Sequence, residues 1–181
     1  MVQATTITSD EEIRQVLDLQ QQNLSTTVSA EQARREGFVT VKHSFDLLKK
    51  MNEAAPQIIA KDDDLVVGYA LVMPESFKEM IPVLMPMFTM LQTISYREKP
   101  IRSFYVMGQI CVREGYRGHG IVDKLYAKHK ELYQHQYKLC VTEVAERNQR
   151  SMKAHLRVGF QTIHTFTDVT DTWNILVWDW D

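Results

Sequence analysis

The second half of the chain alternates between runs of β-forming residues and stretches with helical spacing. Residues 103–112 and 138–145 are rich in β-branched and apolar residues, which predicts two buried strands. Between them the core-facing residues recur every three or four positions, at Ile121, Leu125, Tyr126, His129 and Leu132. That spacing predicts a helix with one buried face.

A second helix is predicted to begin at Asn148, a preferred N-cap residue, and to end at Gly159. Alternating residues then predict two final strands on either side of a turn at Thr170 and Asp171. The order along this half is strand, helix, strand, helix, strand, strand. It predicts a mixed α/β sheet with a parallel strand pair in the middle.

The first half of the chain predicts elements that flank this sheet. β-branched residues favour a strand at 4–9, and either Ser9 or Asp10 is placed to cap a helix that carries Glu11 and Glu12 in its first turn. Further along, the pattern predicts a helix, a short helix and two strands joined by an acidic turn, at 29–38, 45–51 and 57–74.

Length and composition narrow the class of protein. The chain has 181 residues, 44% hydrophobic and 24% charged, which suits one domain over residues 1–181 with a full-sized core. A formal net charge of -2 gives no reason to expect nucleic acid or a membrane as a partner. Cys111 and Cys140 make no disulfide framework, and neither a leader nor a membrane span is recognisable. The cytoplasm is therefore the expected location, with both thiols buried.

Three glycines, Gly115, Gly118 and Gly120, lie between the predicted strand at 103–112 and the helix that follows. A helix N-terminus presents unpaired N–H groups and a partial positive charge, and glycines let a ligand approach the backbone closely. The turn therefore predicts a phosphate or pyrophosphate site. Two common phosphate loops do not fit, because no Lys and hydroxyl pair follows Gly120, and Asp123 stands where GxGxxG needs its third glycine.

Residues 117–122, RGHGIV, resemble the acetyl-CoA signature [QR]-x-x-G-x-[GA] of the GNAT superfamily of N-acetyltransferases. Arg117 and Gly120 match the signature, whereas Val122 replaces its last small residue. The family also orders a strand, this motif, a helix, a strand and a helix that ends in Gly-Phe, as residues 103–160 do. The resemblance implies a GNAT-type α/β fold: a mixed, mostly antiparallel sheet with a splayed central parallel strand pair, flanked by helices.

The same resemblance implies which residues hold acetyl-CoA. The backbone of the central strand would pair with the pantetheine arm, and one of its N–H groups would polarise the acetyl carbonyl. The pyrophosphate would lie on the amides of the glycine turn, with added charge from a motif arginine, and the last helix would add two contacts. The cofactor-binding residues implied in this way are Ile110, Cys111, Val112, Arg117, Gly118, His119, Gly120, Ile121, Val122, Asn148 and Ser151.

Two residues are candidates for catalysis. His155 stands four residues before Gly159, where many family members have a tyrosine that protonates the departing thiolate, and it is either that acid or a structural histidine. Glu143 is an acid between apolar neighbours on a predicted strand, and it is the candidate base that deprotonates the amine through water. An exposed or salt-bridged role is the alternative for Glu143, while Glu114 and Glu75 are weaker candidates for the base.

The activity that the resemblance implies is direct transfer of an acetyl group from acetyl-CoA to a primary amine in a ternary complex. A covalent route through Cys111 is not expected, since direct transfer needs no nucleophile, and the His and Cys spacing predicts no metal site. Two other classes stay open at this point: a non-catalytic acyl-CoA-binding or protein-interaction module on the same fold, and a nucleotide-binding α/β domain.

The sequence says less about partners than about acetyl-CoA. The amine acceptor, a small molecule or a peptide, is expected to contact residues 26–51 and the segment 75–99, whose methionines suit either a core or a pocket wall. Three aromatic residues near the C-terminus suit either a homodimer interface or core packing, namely Trp173, Trp178 and Trp180.

Overall fold

The computed structural model describes residues 1–181 and is organised around a seven-stranded sheet. The helices are α1 (Asp10–Asn23), α2 (Ala30–Glu36), α3 (Phe45–Ala54), α4 (Met85–Thr93), α5 (Ile121–Tyr133) and α6 (Gln149–Val158). The strands are β1 (Gln3–Thr6), β2 (Ile58–Asp62), β3 (Leu65–Met73), β4 (Ser95–Tyr96), β5 (Lys99–Pro100), β6 (Phe104–Val112), β7 (Leu139–Ala145), β8 (Gln161–Thr167) and β9 (Thr172–Asp179). Two 3₁₀ turns, at Glu75–Met80 and Pro82–Leu84, precede α4.

The strands of the large sheet follow the order β1-β2-β3-β6-β7-β9-β8, and β4 and β5 form a separate small hairpin. Every neighbouring pair in the large sheet is antiparallel except β6 and β7, which run parallel at its centre. The predicted fold class is confirmed: a mixed, mostly antiparallel sheet with a central parallel pair, flanked by helices.

Helices cover both faces of the sheet. On one face α5 packs against β1, β2 and β3, and its Leu125 and Tyr126 are fully buried there. On the other face α1 packs against β3 and β6 and also contacts α3, with Val16, Leu19 and Leu48 in the core. β6, at the centre of the sheet, therefore lies between α1 on one face and α5 on the other.

The N-terminus of α1 shows how local chemistry sets the ends of elements. Glu12 N–H donates to Ser9 Oγ at 3.2 Å, and Ser9 N–H donates to the Glu12 carboxylate at 3.2 Å, which is a capping box. Ser9, and not Asp10, is therefore the N-cap. Thr8 N–H also donates to the Glu12 carboxylate, at 2.7 Å. As residues 8 and 9 use their amides in this way, β1 ends at Thr6 and not at residue 9.

Candidate active site

The parallel pair at the centre of the sheet separates after three residues. Phe104–Val106 pair with Leu139–Val141, and beyond them β6 pairs only with β3. The register between β3 and β6 shifts between Leu71 and Val72, which leaves Gly108 as the extra residue of a β-bulge. A bulge bends the strand that carries it, so β6 turns away from β7 and a gap opens between them.

The edge of β6 that faces this gap carries backbone groups that no strand pairs. Arg113 N–H donates to the Val67 carbonyl of β3 at 2.8 Å. Because backbone directions alternate along a strand, Cys111 also faces β3, whereas Ile110 and Val112 face the gap. Ile110 and Val112, two of the three residues predicted to hold an extended ligand, therefore present their backbone groups to the gap.

The turn before α5 and the first turn of that helix leave seven consecutive amides without a partner. No N–H group of residues 117–123 donates to an acceptor within the protein. Gly118 and Gly120 have φ of 82° and 72°, and a Cβ added to either would meet no atom closer than 3.9 Å. With the positive end of the helix dipole behind them, these amides supply the donors that a phosphate or pyrophosphate needs.

The free amides and the free strand edge border a single groove of about 380 Å³, and α6 forms its opposite wall. All but one of the residues predicted to bind acetyl-CoA line this groove. The exception is His119, whose side chain is exposed outside it. Acetyl-CoA fits the chemistry of this lining, since one molecule carries both phosphates and an extended arm with amides.

A row of cations on α6 lines the same groove and was missed in the sequence analysis. Arg150, Lys153 and Arg157 are three and four residues apart, which places them on one helix face. This spacing was the signal in the sequence that would have identified them. Arg150 pairs with Glu36 at 3.4 Å and Arg157 with Asp123 at 2.9 Å, while Lys153 makes no ion pair.

Arg117 anchors the glycine turn instead of presenting a free charge. Its guanidinium donates to the Val112 carbonyl at 2.9 Å, to the Glu36 carboxylate at 2.6 Å and to Asn23 Oδ1 at 2.6 Å. The side chain is only 12% exposed. The sequence analysis expected this side chain to add charge to a phosphate. The structure corrects that expectation, because the guanidinium is used to join α1, α2 and the end of β6.

Asn148 and Ser151 form the N-terminal turn of α6 beside the groove. Asn148 Oδ1 accepts from Ser151 N–H at 3.4 Å, as expected for an N-cap, and Asn148 Nδ2 donates to the Phe38 carbonyl at 3.1 Å. The second bond ties the chain after α2 to the start of α6. Both residues line the groove and also the smaller cavity that adjoins it.

His155 lies where the groove meets this smaller cavity, and it is 1% exposed. Its Nδ1 is 2.7 Å from the Ser151 carbonyl oxygen, which only accepts, so Nδ1 carries the hydrogen. Nε2 is buried without a partner, and burial lowers the pKa of His155 to about 4. At neutral pH the ring is neutral and Nε2 has no proton to give, which is unfavourable for the predicted acid role.

Glu143 lines the smaller cavity, of about 60 Å³, between β6 and β7. Burial, followed by the negative charge of Asp168, raises the pKa of Glu143 to about 8. No hydrogen bond or salt bridge within the protein stabilises this carboxyl in either form. The salt-bridged alternative is thereby excluded, and a carboxyl that titrates near neutral pH lies at the point where the strands separate.

The chain after α2 covers the smaller cavity. Phe38, Val39 and Thr40 line it, and Gln109 Nε2 holds the adjacent Val41 carbonyl at 2.9 Å. These residues fall within the segment 26–51 that was expected to contact the acceptor. The other expected segment, 75–99, does not line this cavity and packs into the core through Phe77, Ile81, Leu84, Met87, Phe88 and Leu91.

Two of the C-terminal tryptophans pack within the protein. The Trp178 ring lies 5.6 Å from that of Phe160, and the Trp180 ring lies 5.9 Å from that of Tyr105. Of the two uses left open for these residues, packing is the one observed. The homodimer stays a prediction.

The two cysteines are buried, and burial raises the pKa of each thiol to about 12. A protonated thiol is a poor nucleophile, so the covalent route that the sequence argued against has no support in the structure. No three His, Cys, Asp or Glu side chains are grouped so that they could hold a metal ion. None of the helices is long and apolar enough to cross a membrane.

Solved structures with the same fold include acetyltransferases. A chain of the NatC complex bound to Gag peptide and CoA aligns with a TM-score of 0.66 and 12% identity over 99% of both chains. The ribosomal-protein-S18-alanine N-acetyltransferase from Escherichia coli aligns with a TM-score of 0.64 and 10% identity, over 99% of this chain and 94% of that one. An N-acetyltransferase from Staphylococcus aureus Mu50 aligns with a TM-score of 0.62 and 16% identity, over 99% of this chain and 98% of that one. Identities this low establish the fold alone.

Sequence comparison at the level of the family is more specific. No curated protein matches the chain. The family model of the acetyltransferase (GNAT) family matches residues 24–160, which include the glycine turn, both strands of the splayed pair and α6. The chain therefore belongs to the GNAT family of acetyltransferases.

Proposed function

We propose that this protein transfers an acetyl group from acetyl-CoA to a primary amine, directly and in a ternary complex. One observation carries the proposal: two sets of unpaired backbone groups meet in a single groove. The amides of residues 117–123 suit a pyrophosphate. On the free edge of β6, the backbone of Ile110 and the N–H of Val112, whose carbonyl already accepts from Arg117, suit the amides of a pantetheine arm. Membership of the family and a CoA-bound structure with the same fold support it.

The binding roles follow from this placement. Ile110 and Val112 would pair with the arm, and a backbone N–H beside the gap would polarise the acetyl carbonyl. The amides of the glycine turn and of the first turn of α5 would hold the pyrophosphate, while Lys153 and its neighbours on α6 would add charge. His119 would contribute through its backbone amide alone, and Asn148 and Ser151 would line the groove from α6. Cys111 borders the groove, but its backbone pairs with β3, so it would not pair with the arm.

Glu143 is proposed as the base. In its ionised form, which predominates above pH about 8, it accepts a proton from the acceptor ammonium through water. The freed nitrogen lone pair forms the C–N bond to the acetyl carbon, and the C–S bond breaks. The nitrogen loses its second proton to solvent and the departing thiolate gains one, so the products are an amide and the free thiol of CoA.

His155 is proposed as a positioning residue, not as the acid. Its Nδ1–H donates to the Ser151 carbonyl and orders the first two turns of α6, which carry Asn148, Ser151 and Lys153 into the groove. In this arrangement the thiolate receives its proton from solvent. The sequence position that often holds a tyrosine would then serve the geometry of the site and not proton transfer.

The acceptor is proposed to enter beside residues 38–40, on the side of the smaller cavity. Two structures with this fold are described as acting on an alanine of a ribosomal protein and as binding a Gag peptide. These descriptions justify testing peptide N-termini together with small amines.

The test is release of free thiol from acetyl-CoA with a panel of peptides, amino acids and small amines, together with calorimetric binding of CoA. The proposal expects CoA to bind and at least one amine to raise thiol release above hydrolysis. Binding without turnover on any amine would replace it with the non-catalytic acyl-CoA-binding module. Stabilisation by ATP or NAD but not by acetyl-CoA would point instead to a nucleotide-binding domain.

A further inference from the structure

A single side chain bridges the two central strands at the point where they separate. Thr142 is 3% exposed, and its Oγ1 donates to the Met107 carbonyl at 2.9 Å. Thr142 follows Val141, the last residue of β7 that pairs with β6, and Met107 follows Val106, the last residue of β6 that pairs with β7. Both residues also line the smaller cavity.

The orientation of the surrounding backbone shows which bond this bridge replaces. Met107 is opposite Val72 of β3, and the N–H and C=O of Val72 both bond the Gln57 side chain, at 2.8 Å each. Since Val72 bonds away from β6, the backbone of Met107 points towards β7. In a continued parallel ladder a β7 amide would bond the Met107 carbonyl. The Thr142 hydroxyl takes that place.

The bridge lies one residue before the bulge at Gly108. The bulge turns β6 away from β7, and a side-chain bond spans a wider separation than a backbone ladder bond does. The hydroxyl therefore satisfies a buried carbonyl while it lets the strands part, and it fixes how far apart they are at the closed end of the gap.

We propose that Thr142 is a positioning residue that sets the width of the gap between β6 and β7, and so governs binding of the acyl-pantetheine arm without contributing to the phosphate groove. This inference rests on the proposed function. It separates the ligand into two parts that the chain holds by different means: the diphosphate on the amides before α5, and the arm along β6.

The experiment compares two ligands on one protein by calorimetry. Acetyl-CoA carries the arm, and adenosine 3′-phosphate 5′-diphosphate carries the same phosphates, including the pyrophosphate, without it. Thr142→Val removes the hydroxyl at nearly constant volume and leaves a buried carbonyl unpaired, and we expect about tenfold weaker binding of acetyl-CoA. The affinity of Thr142→Val for the nucleotide without the arm should stay within about twofold of the wild-type value. Thr142→Ser, which retains the hydroxyl, should restore most of the acetyl-CoA affinity.

Three results would overturn the proposal: equal loss for both ligands, no loss in Thr142→Val, or an equal loss in Thr142→Ser. Thermal melting verifies folding, and Thr142→Ala is compared in the same way where the valine variant does not fold. The readout is binding, so its outcome is separate from that of the proposed function. A wild type that binds acetyl-CoA without turnover would refute the transferase proposal and still allow Thr142 to be judged.

Discussion

The N-termini of α5 and α6 face the same groove, and they are built in opposite ways. At α6, the Asn148 side chain accepts from the Ser151 amide. At α5, Gly120 is the N-cap, no side chain accepts from the first turn, and residues 117–123 keep their amides free. Helices α1, α2 and α3 all begin with a serine cap. Four of the six helices are thus capped by a side chain. Of the two that are not, α4 continues from a 3₁₀ turn, whereas α5 begins at the groove, where a ligand can supply the acceptors.

The difference has an energetic meaning. A missing N-cap costs about 1 kcal/mol of stability, which an anion bound at the helix end can offset. The free end of α5 is therefore suited to binding, whereas the capped end of α6 is rigid and carries Asn148, Ser151 and His155 to the boundary of the two cavities. Binding and chemistry should respond separately to substitutions at the two ends.

The largest effect is expected at the uncapped end. Gly120→Glu places a Cβ and a negative charge among the free amides, at a backbone φ of 72° that side chains rarely adopt. Acetyl-CoA should bind at least about a hundredfold more weakly, since charge repulsion replaces several hydrogen bonds. Calorimetry measures the affinity, and circular dichroism shows whether the fold persists.

Gly115→Glu is the matched control. Gly115 has a φ of 86° and no atom within 4 Å of an added Cβ, so this substitution introduces backbone strain and a charge similar to those of Gly120→Glu. Gly115, however, does not line the groove. Its affinity for acetyl-CoA should remain within about fivefold of the wild type. Equal losses in the two variants would show that backbone strain, and not the anion site, accounts for the effect.

The second effect concerns chemistry and leaves binding unchanged. Glu143→Gln should lower kcat about a hundredfold, as expected for loss of a general base, with the affinity for acetyl-CoA preserved. The wild-type rate should rise with pH through about 8, because burial raises the Glu143 pKa to about 8 and only the ionised form accepts a proton. The variant should lose this rise.

Glu114→Gln serves as the control for that measurement. Glu114 is exposed, lines neither cavity, and was the weaker candidate base from the sequence. Its rate and pH profile should match the wild type. A normal pH rise in Glu143→Gln, or its loss in Glu114→Gln, would assign the base elsewhere.

The sequence predicted the free amides before α5 well, because their signal is local. Gly118 and Gly120 lie between a strand and a helix, and a reader needs only a dozen consecutive residues to infer free amides there. The strand order around β6 and β7 followed from the same kind of pattern. The start of β1 was predicted well, but its end was not, because the end depends on which of several acceptors the amides of residues 8 and 9 choose.

The roles of single side chains were harder to predict, since they depend on distant parts of the chain. Arg117 matches a phosphate-binding motif, yet its guanidinium donates to Glu36 and Asn23, which are 81 and 94 residues away along the chain. His155 matches a catalytic position, yet burial against Tyr126 and Phe160 lowers its pKa to about 4. A motif identifies the residue type at a position and not the groups that surround it in the fold.

The smallest effect is expected at the capped end, and it tests whether the Asn148 cap only stabilises α6 or also shapes the groove. Asn148→Ala should lower the free energy of unfolding by about 1 kcal/mol, and so should Ser44→Ala, which removes the cap of α3 at a residue that lines neither cavity. Only Asn148→Ala should also weaken acetyl-CoA binding, by about threefold, because its Nδ2 holds the Phe38 carbonyl at the groove.

Asn148→Ser separates the two bonds of this side chain. Serine can still cap α6, so stability should stay close to the wild type, but its hydroxyl is too short to reach the Phe38 carbonyl. Binding should then weaken as in the alanine variant. If serine instead restores both stability and affinity, the cap alone orders this side of the groove. The bond to Phe38 would then be incidental, and both helix ends would act on the ligand through their own backbones.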